Sequence, residues 1–215
     1  MQRLLIATAT LLSLAVGPVH AGRVAVEVVD VEGRPVRDAV VSLEPAGGAA
    51  PKAYAPTTHY VDQKNETFIP YVTALHAGDS VVFRNSDGTR HQVYSFSGLA
   101  KFEYVLSPGE SSPPLVLPRA GNVAVGCNIH DMMIAYLYVT KDADLAVTDA
   151  KGRATLDGVG AGSYRAHAWH PQLRPGIVLP VQGVSVDEST PGKVTFTLAL
   201  LPDPRGTADR EHIGY

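Results

Sequence analysis

Cysteine is nearly absent from this chain of 215 residues: Cys127 is its only one. An internal disulfide is therefore excluded. The lone thiol needs another reason to be there, either burial as a small apolar group or a role as a ligand. Basic charge is also short. With 18 Lys and Arg against 21 Asp and Glu, the chain lacks the electrostatic footprint of a nucleic-acid binder. No stretch is apolar for long enough to span a bilayer, and no amphipathic helical pattern runs beyond a few turns.

What is present at the N-terminus reads as an export signal. Arg3 is followed by the 13-residue run Leu4–Val16 and by the small-residue site Val19-His20-Ala21, so residues 1–21 are predicted to be a signal peptide cleaved after Ala21. The expected product is a periplasmic protein starting at Gly22, with no membrane span and a formal charge of −4 once Arg3 is removed from the −3 of the whole chain.

Beyond it, short runs alternate with period two: Val24-Val26-Val28, Val81-Phe83, Val123-Val125, Leu137-Val139 and Val194-Phe196-Leu198. Turn signals separate them at Glu32-Gly33, Ser86-Asp87-Gly88, Ser107-Pro108-Gly109 and Lys151-Gly152. Many short strands spaced by turns predict an all-β sandwich or barrel. From Pro202 the composition turns polar, which predicts a flexible tail over 202–215. Two distant stretches resemble halves of a carboxypeptidase regulatory-like, or transthyretin-like, β-sandwich: the hairpin at residues 24–43 with its G-R-P-V turn, and the later Thr148–Gly152 turn with Gly162-Ser163-Tyr164. The resemblance implies a discontinuous second sandwich over 22–50 plus 143–201, with residues 51–142 inserted in it. A tandem arrangement, in which the first strands belong to the middle domain, is the alternative.

The chemistry is concentrated in Asn85–His91 and Gly126–Met133. Cys127, His130 and Met133 are each separated by two residues. Val123 and Val125 share a strand face with Cys127, and Ala135, Leu137 and Val139 share one with Met133, so the three donors lie on one loop joining two antiparallel strands. One thiolate, two imidazoles and a thioether make the donor set of a trigonal blue-copper site with a weak axial Met. A structural zinc would ask for four strong nitrogen or sulfur ligands. The second imidazole must come from another strand. Among the eight histidines, His20 and His212 lie in the terminal segments, and His59, His76, His167 and His170 carry no distinguishing pattern. His91 sits at a strand edge just after the Ser86-Asp87-Gly88 turn. Strand register leaves Met132 open beside Met133, because Met132 shares its face with Ile134, Tyr136 and Tyr138.

Asn85 with His91 six positions on, then Cys-x2-His-x2-Met, led by Phe68-Ile69-Pro70 and Ala77–Asn85, resembles the type 1 copper pattern of the cupredoxins, in the amicyanin and plastocyanin-like branch. The resemblance covers residues 51–142. It implies a Greek-key β-sandwich holding one copper ion on His91, Cys127, His130 and Met133. Asn85 is implied behind them, tying the two ligand loops together near the cysteine. Asp131 stands where relatives carry Pro, and its carboxylate is expected to lower the reduction potential or to shift proton competition at His130. The whole chain resembles exported bacterial proteins often labelled methylamine utilization proteins, which implies a quinoprotein dehydrogenase as electron donor and a c-type cytochrome as acceptor. The expected activity is one-electron transfer between transient redox partners, with no substrate chemistry and with His130 beside Met132 as electron port. A copper module for delivery, storage or sensing is the alternative.

Overall fold

A computed structural model describes residues 22–48, 53–130, 132–187 and 190–205. The expected signal peptide, Asp131 and the chain from residue 206 onward lie outside the described residues. The protein is an all-β sandwich, as its alternating runs predict. β1 (Gly22–Asp30) and β2 (Val40–Pro45) open the chain. β3 (Thr58–Gln63), β4 (Phe68–Ile69), β5 (Val72–His76), β6 (Ser80–Asn85), β7 (His91–Phe96), β8 (Lys101–Leu106), β9 (Leu115–Val116), β10 (Gly121–Cys127) and β11 (Ile134–Thr140) form its middle. β12 (Asp144–Val147), β13 (Arg153–Val159), β14 (Gly162–Trp169), β15 (Val181–Val186) and β16 (Gly192–Leu198) close it.

The middle strands make two sheets, ordered β4-β3-β6-β9 and β5-β11-β10-β7-β8. Their inward residues, among them Val61, Phe68, Phe83, Val93, Val125 and Leu137, form one core. The outer strands make the sheets β13-β1-β16 and β12-β2-β14-β15. Val24, Val28, Leu43, Trp169 and Phe196 belong to their core. β1 pairs in parallel with β16, so the first and last of the described strands share one sheet. The reversal into β13 depends on Gly152, whose φ is +69° and whose Cβ, if it had one, would strike the carbonyl of Val28.

β11 serves both cores. Ala135, Leu137 and Val139 point into the middle one, whereas Ile134, Tyr136 and Tyr138 pack against the outer one. Both of its faces are therefore covered, and its sequence is apolar throughout instead of alternating with polar residues. Tyr138 stacks on Trp169 at 4.8 Å and Tyr136 meets the Tyr71 ring edge-on at 5.5 Å, so Trp169 and its neighbours are core. The junction continues in Gln172, whose Nε2 donates to the Tyr71 hydroxyl at 2.7 Å.

The C-terminal stretch differs from the tail expected from Pro202. Arg205 donates from Nη1 to Asp38 at 2.9 Å, and its guanidinium lies 3.6 Å over the Tyr71 ring. A carboxylate and an aromatic face together hold the cation, so the chain is docked at Arg205.

Candidate metal centre

β10 ends at Cys127 and β11 begins at Ile134, so the intervening loop is short. It is drawn tight by two backbone bonds, from Cys127 N–H to the Met133 carbonyl at 3.2 Å and from Met133 N–H to the His130 carbonyl at 3.0 Å. β7 lies along the other edge of β10, with Cys127 opposite Val93. Asn128 N–H donates to the Gln92 carbonyl at 3.0 Å. This pairing carries His91, the first residue of β7, to the mouth of the loop. His91 Nδ1 is 3.6 Å from Cys127 Sγ, and His130 Nδ1 is 4.0 Å from the same sulfur.

These three donor atoms lie within 4.8 Å of one another and are the one such His, Cys or carboxylate group among the described residues. A trigonal centre with metal–sulfur and metal–nitrogen bonds of about 2.3 and 2.0 Å separates S from N by about 3.7 Å. The observed spacings straddle that value, so the donor set fits copper in both chemistry and size. Cys127 and His91 are 4% and 0% exposed, whereas a quarter of the His130 side chain reaches solvent. Met133 is buried in the same core as Cys127, while Met132 is 39% exposed.

The far side of His91 is fixed by a residue that sequence reasoning passed over. Its Nε2 lies 2.8 Å from Asp87 Oδ2. A carboxylate only accepts, so Nε2 carries a proton, and in the neutral ring Nδ1 then presents its lone pair on the sulfur side. Burial pushes the Asp87 carboxyl up, but the N–H groups of Glu66, His91 and Asn65 outweigh it and hold the group below its ordinary range. Ser86-Asp87-Gly88 reads as a turn, which hid this role; the spacing of four residues to a histidine on the same loop was the available signal. On the other imidazole, Glu66 Oε1 lies 3.7 Å from His130 Nε2.

Asn85 is buried, but its bonds differ from those the resemblance implies. Nδ2 donates to the carbonyls of Thr89 at 2.8 Å and Leu106 at 2.9 Å, and Oδ1 accepts from Asp87 N–H at 2.9 Å. All three stay on the His91 side. Among the described residues the link between the two loops is made by Asn128, whose Nδ2 donates to Gln92 Oε1 at 3.1 Å. Asn85 thus shapes the loop that carries His91 and Asp87. His59 and His76 gather instead around buried Asp79, at 3.2 and 3.5 Å. Asp79 also accepts the N–H groups of Thr57 and His76, so that cluster is a structural clasp.

Beside His130 opens a cleft of about 860 Å³. Glu66, Ile69, Met132 and His130 line it from the middle sheets, and Arg37 and Arg205 from the outer part of the chain.

No protein-family model matches the chain, and no curated protein matches it. Many solved structures are similar to part of it, among them three of different kinds. A purple cupredoxin from Nitrosopumilus maritimus is 17% identical, over 38% of this chain and 98% of its own, with a TM-score of 0.34. Amicyanin from Paracoccus versutus is 18% identical, over 46% of this chain and 97% of its own, with a TM-score of 0.35. A Cu-containing nitrite reductase from Thermus scotoductus is 22% identical, over 54% of this chain and 28% of its own, with a TM-score of 0.34.

Proposed function

We propose that the protein is an exported type 1 copper protein that carries single electrons between periplasmic redox partners. One observation carries this reading: two imidazole Nδ1 atoms converge at 3.6 and 4.0 Å on the sulfur of the lone cysteine at one end of a sandwich, with Met133 buried beside them. His91, Cys127, His130 and Met133 would hold the copper ion, which would supply reversible one-electron chemistry there. The residues supply rigidity. His91 is locked to Asp87 and Cys127 is pinned between β7 and β11, so the donors are held ready for either oxidation state. Burial of Cys127 and His91 keeps the thiolate from solvent, which favours electron transfer over hand-off of the ion to a recipient.

His130 is the one ligand with an accessible edge. Exposed Ile129, Met132 and Ile69 supply an apolar surface of the kind a transient partner covers, with a small contact area and weak affinity. A dehydrogenase donor and a c-type cytochrome acceptor are the partners this reading assigns, and the outer strands are assigned to a regulatory-like sandwich around an inserted copper domain. The protein itself makes and breaks no substrate bond.

The test is the visible spectrum and voltammetry of the copper-loaded protein. An intense thiolate-to-copper charge-transfer band with a reversible one-electron wave is expected. A colourless Cu(II) protein refutes the type 1 centre. A coloured protein without a reversible wave moves the function to copper delivery, storage or sensing.

A further inference from the structure

We propose that the Lys64–Thr67 turn, which contributes no ligand, positions both imidazoles of the centre; the proposal rests on the copper reading above. The turn joins β3 to β4 and is closed by Lys64 N–H to the Thr67 carbonyl at 3.0 Å and by Thr67 N–H to the Lys64 carbonyl at 3.2 Å. Asn65 and Glu66 have φ of 53° and 52°. Two successive left-handed residues turn their N–H groups to the same side and form a concave anion receptor. Its occupant is Asp87. Asn65 N–H bonds Oδ1, and Glu66 N–H bonds Oδ2 at 3.0 Å. The same Oδ2 takes the Nε2 proton of His91 at 2.8 Å. Three donors therefore fix the carboxylate, and rotation of the His91 ring would break a charge-assisted bond.

The side chain of Glu66 reaches the other ligand. Its Oε1 lies 3.7 Å from His130 Nε2, so the backbone of one residue acts on His91 while its carboxylate stands against His130. The residue type supports this. A left-handed position is easiest for Gly and tolerable for Asn, and Asn65 conforms. Glu66 does not, and a turn with only a structural role would be better served by Gly there. A strained non-Gly residue beside a reactive centre is a sign of use. A negative charge at the exposed edge of His130 stabilises the more positive oxidised centre and so lowers its potential.

Three variants of the full chain test the proposal. Glu66→Gly suits the backbone, keeps both N–H donors and removes the carboxylate; Glu66→Gln removes the charge alone. Both are expected to raise the reduction potential in voltammetry while leaving the His91 Nε2–H resonance of the metal-free protein in place. Asp87→Asn cannot accept all three bonds. It is expected to lose that resonance and to weaken copper binding 10- to 100-fold. An unchanged potential in Glu66→Gly, or a His91 Nε2–H resonance that survives Asp87→Asn, overturns the proposal. Should Asp87→Asn not fold, the Glu66 variants decide it. A wild-type protein without a charge-transfer band sinks the copper reading instead, and the resonance in metal-free protein still reports whether the turn orients His91.

Discussion

Asn85→Ala removes three hydrogen bonds from a residue that is 2% exposed, and its cost follows from what each abandoned partner can do next. The Leu106 carbonyl is buried with it, so losing the Nδ2 donor leaves an unsatisfied acceptor at about 2 kcal/mol. The Thr89 carbonyl and the Asp87 N–H are nearer the surface. Water replaces much of what they lose, and together they add about 1 kcal/mol. The sum is about 3 kcal/mol. With a urea m-value of about 2 kcal/mol/M, the unfolding midpoint of the metal-free protein should fall by about 1.5 M. Asn85→Asp should cost more at neutral pH, because it retains the acceptor for Asp87 N–H but sets a carboxylate against two carbonyl oxygens. Burial and those oxygens raise the folded pKa of the introduced group above its unfolded value of about 3.9. The excess penalty is then absent below that pH and grows as pH rises through the folded pKa. Circular dichroism during urea titration at several pH values measures both effects. A midpoint shift under about 0.5 M for Asn85→Ala would mean that Asn85 is not what holds the His91 loop.

The two methionines separate by burial. Met133→Leu should cost less than about 1.5 kcal/mol yet shift the charge-transfer spectrum and raise the potential, whereas Met132→Leu should leave both unchanged; the reverse outcome moves the axial ligand to Met132. A pH effect is expected far from the centre, at His170. Burial lowers its pKa from 6.5 against the opposing bond of its ring to the Arg37 carbonyl. The folded value lies below the unfolded one, so the unfolded chain binds the proton first and stability falls as pH drops below 6.5. His170→Asn should flatten that part of the urea-midpoint profile relative to wild type, and parallel profiles would assign the slope elsewhere.

The all-β class was legible because period two is a direct imprint of a strand with one buried face. Val24, Val26 and Val28 are all buried on β1, and Val123, Val125 and Cys127 share a face on β10. The loop itself was legible for the same reason, since the β10–β11 pair sets Cys127 at its start, although register left the choice between Met132 and Met133 open. Three features were not. Glu66 carries no turn signature, because its left-handed conformation, at a φ of 52°, contradicts its propensity. Asp87 itself looked like an ordinary turn residue, because its partner His91 becomes its neighbour only when the loop closes. Arg205 looked like the start of a tail, because Asp38 and Tyr71 are more than a hundred positions away in the chain.

That last contact bears on selectivity at the centre. Electron transfer asks only that a partner approach the His130 edge, yet that edge opens into a cleft whose far wall carries Arg37 and Arg205. Arg205 is tied to Asp38 at 2.9 Å and to Asp203 at 2.6 Å, and Arg37 meets Asp38 at 3.1 Å. The wall is thus built of paired charges, which steer an encounter weakly and resist desolvation. On the copper reading, a partner that fits would have to match both the apolar rim around Met132 and this polar wall. Arg205 rests on the Tyr71 ring, and Gln172 from the outer part of the chain holds the Tyr71 hydroxyl, so on the copper reading the contribution of that part is to shape what can reach His130.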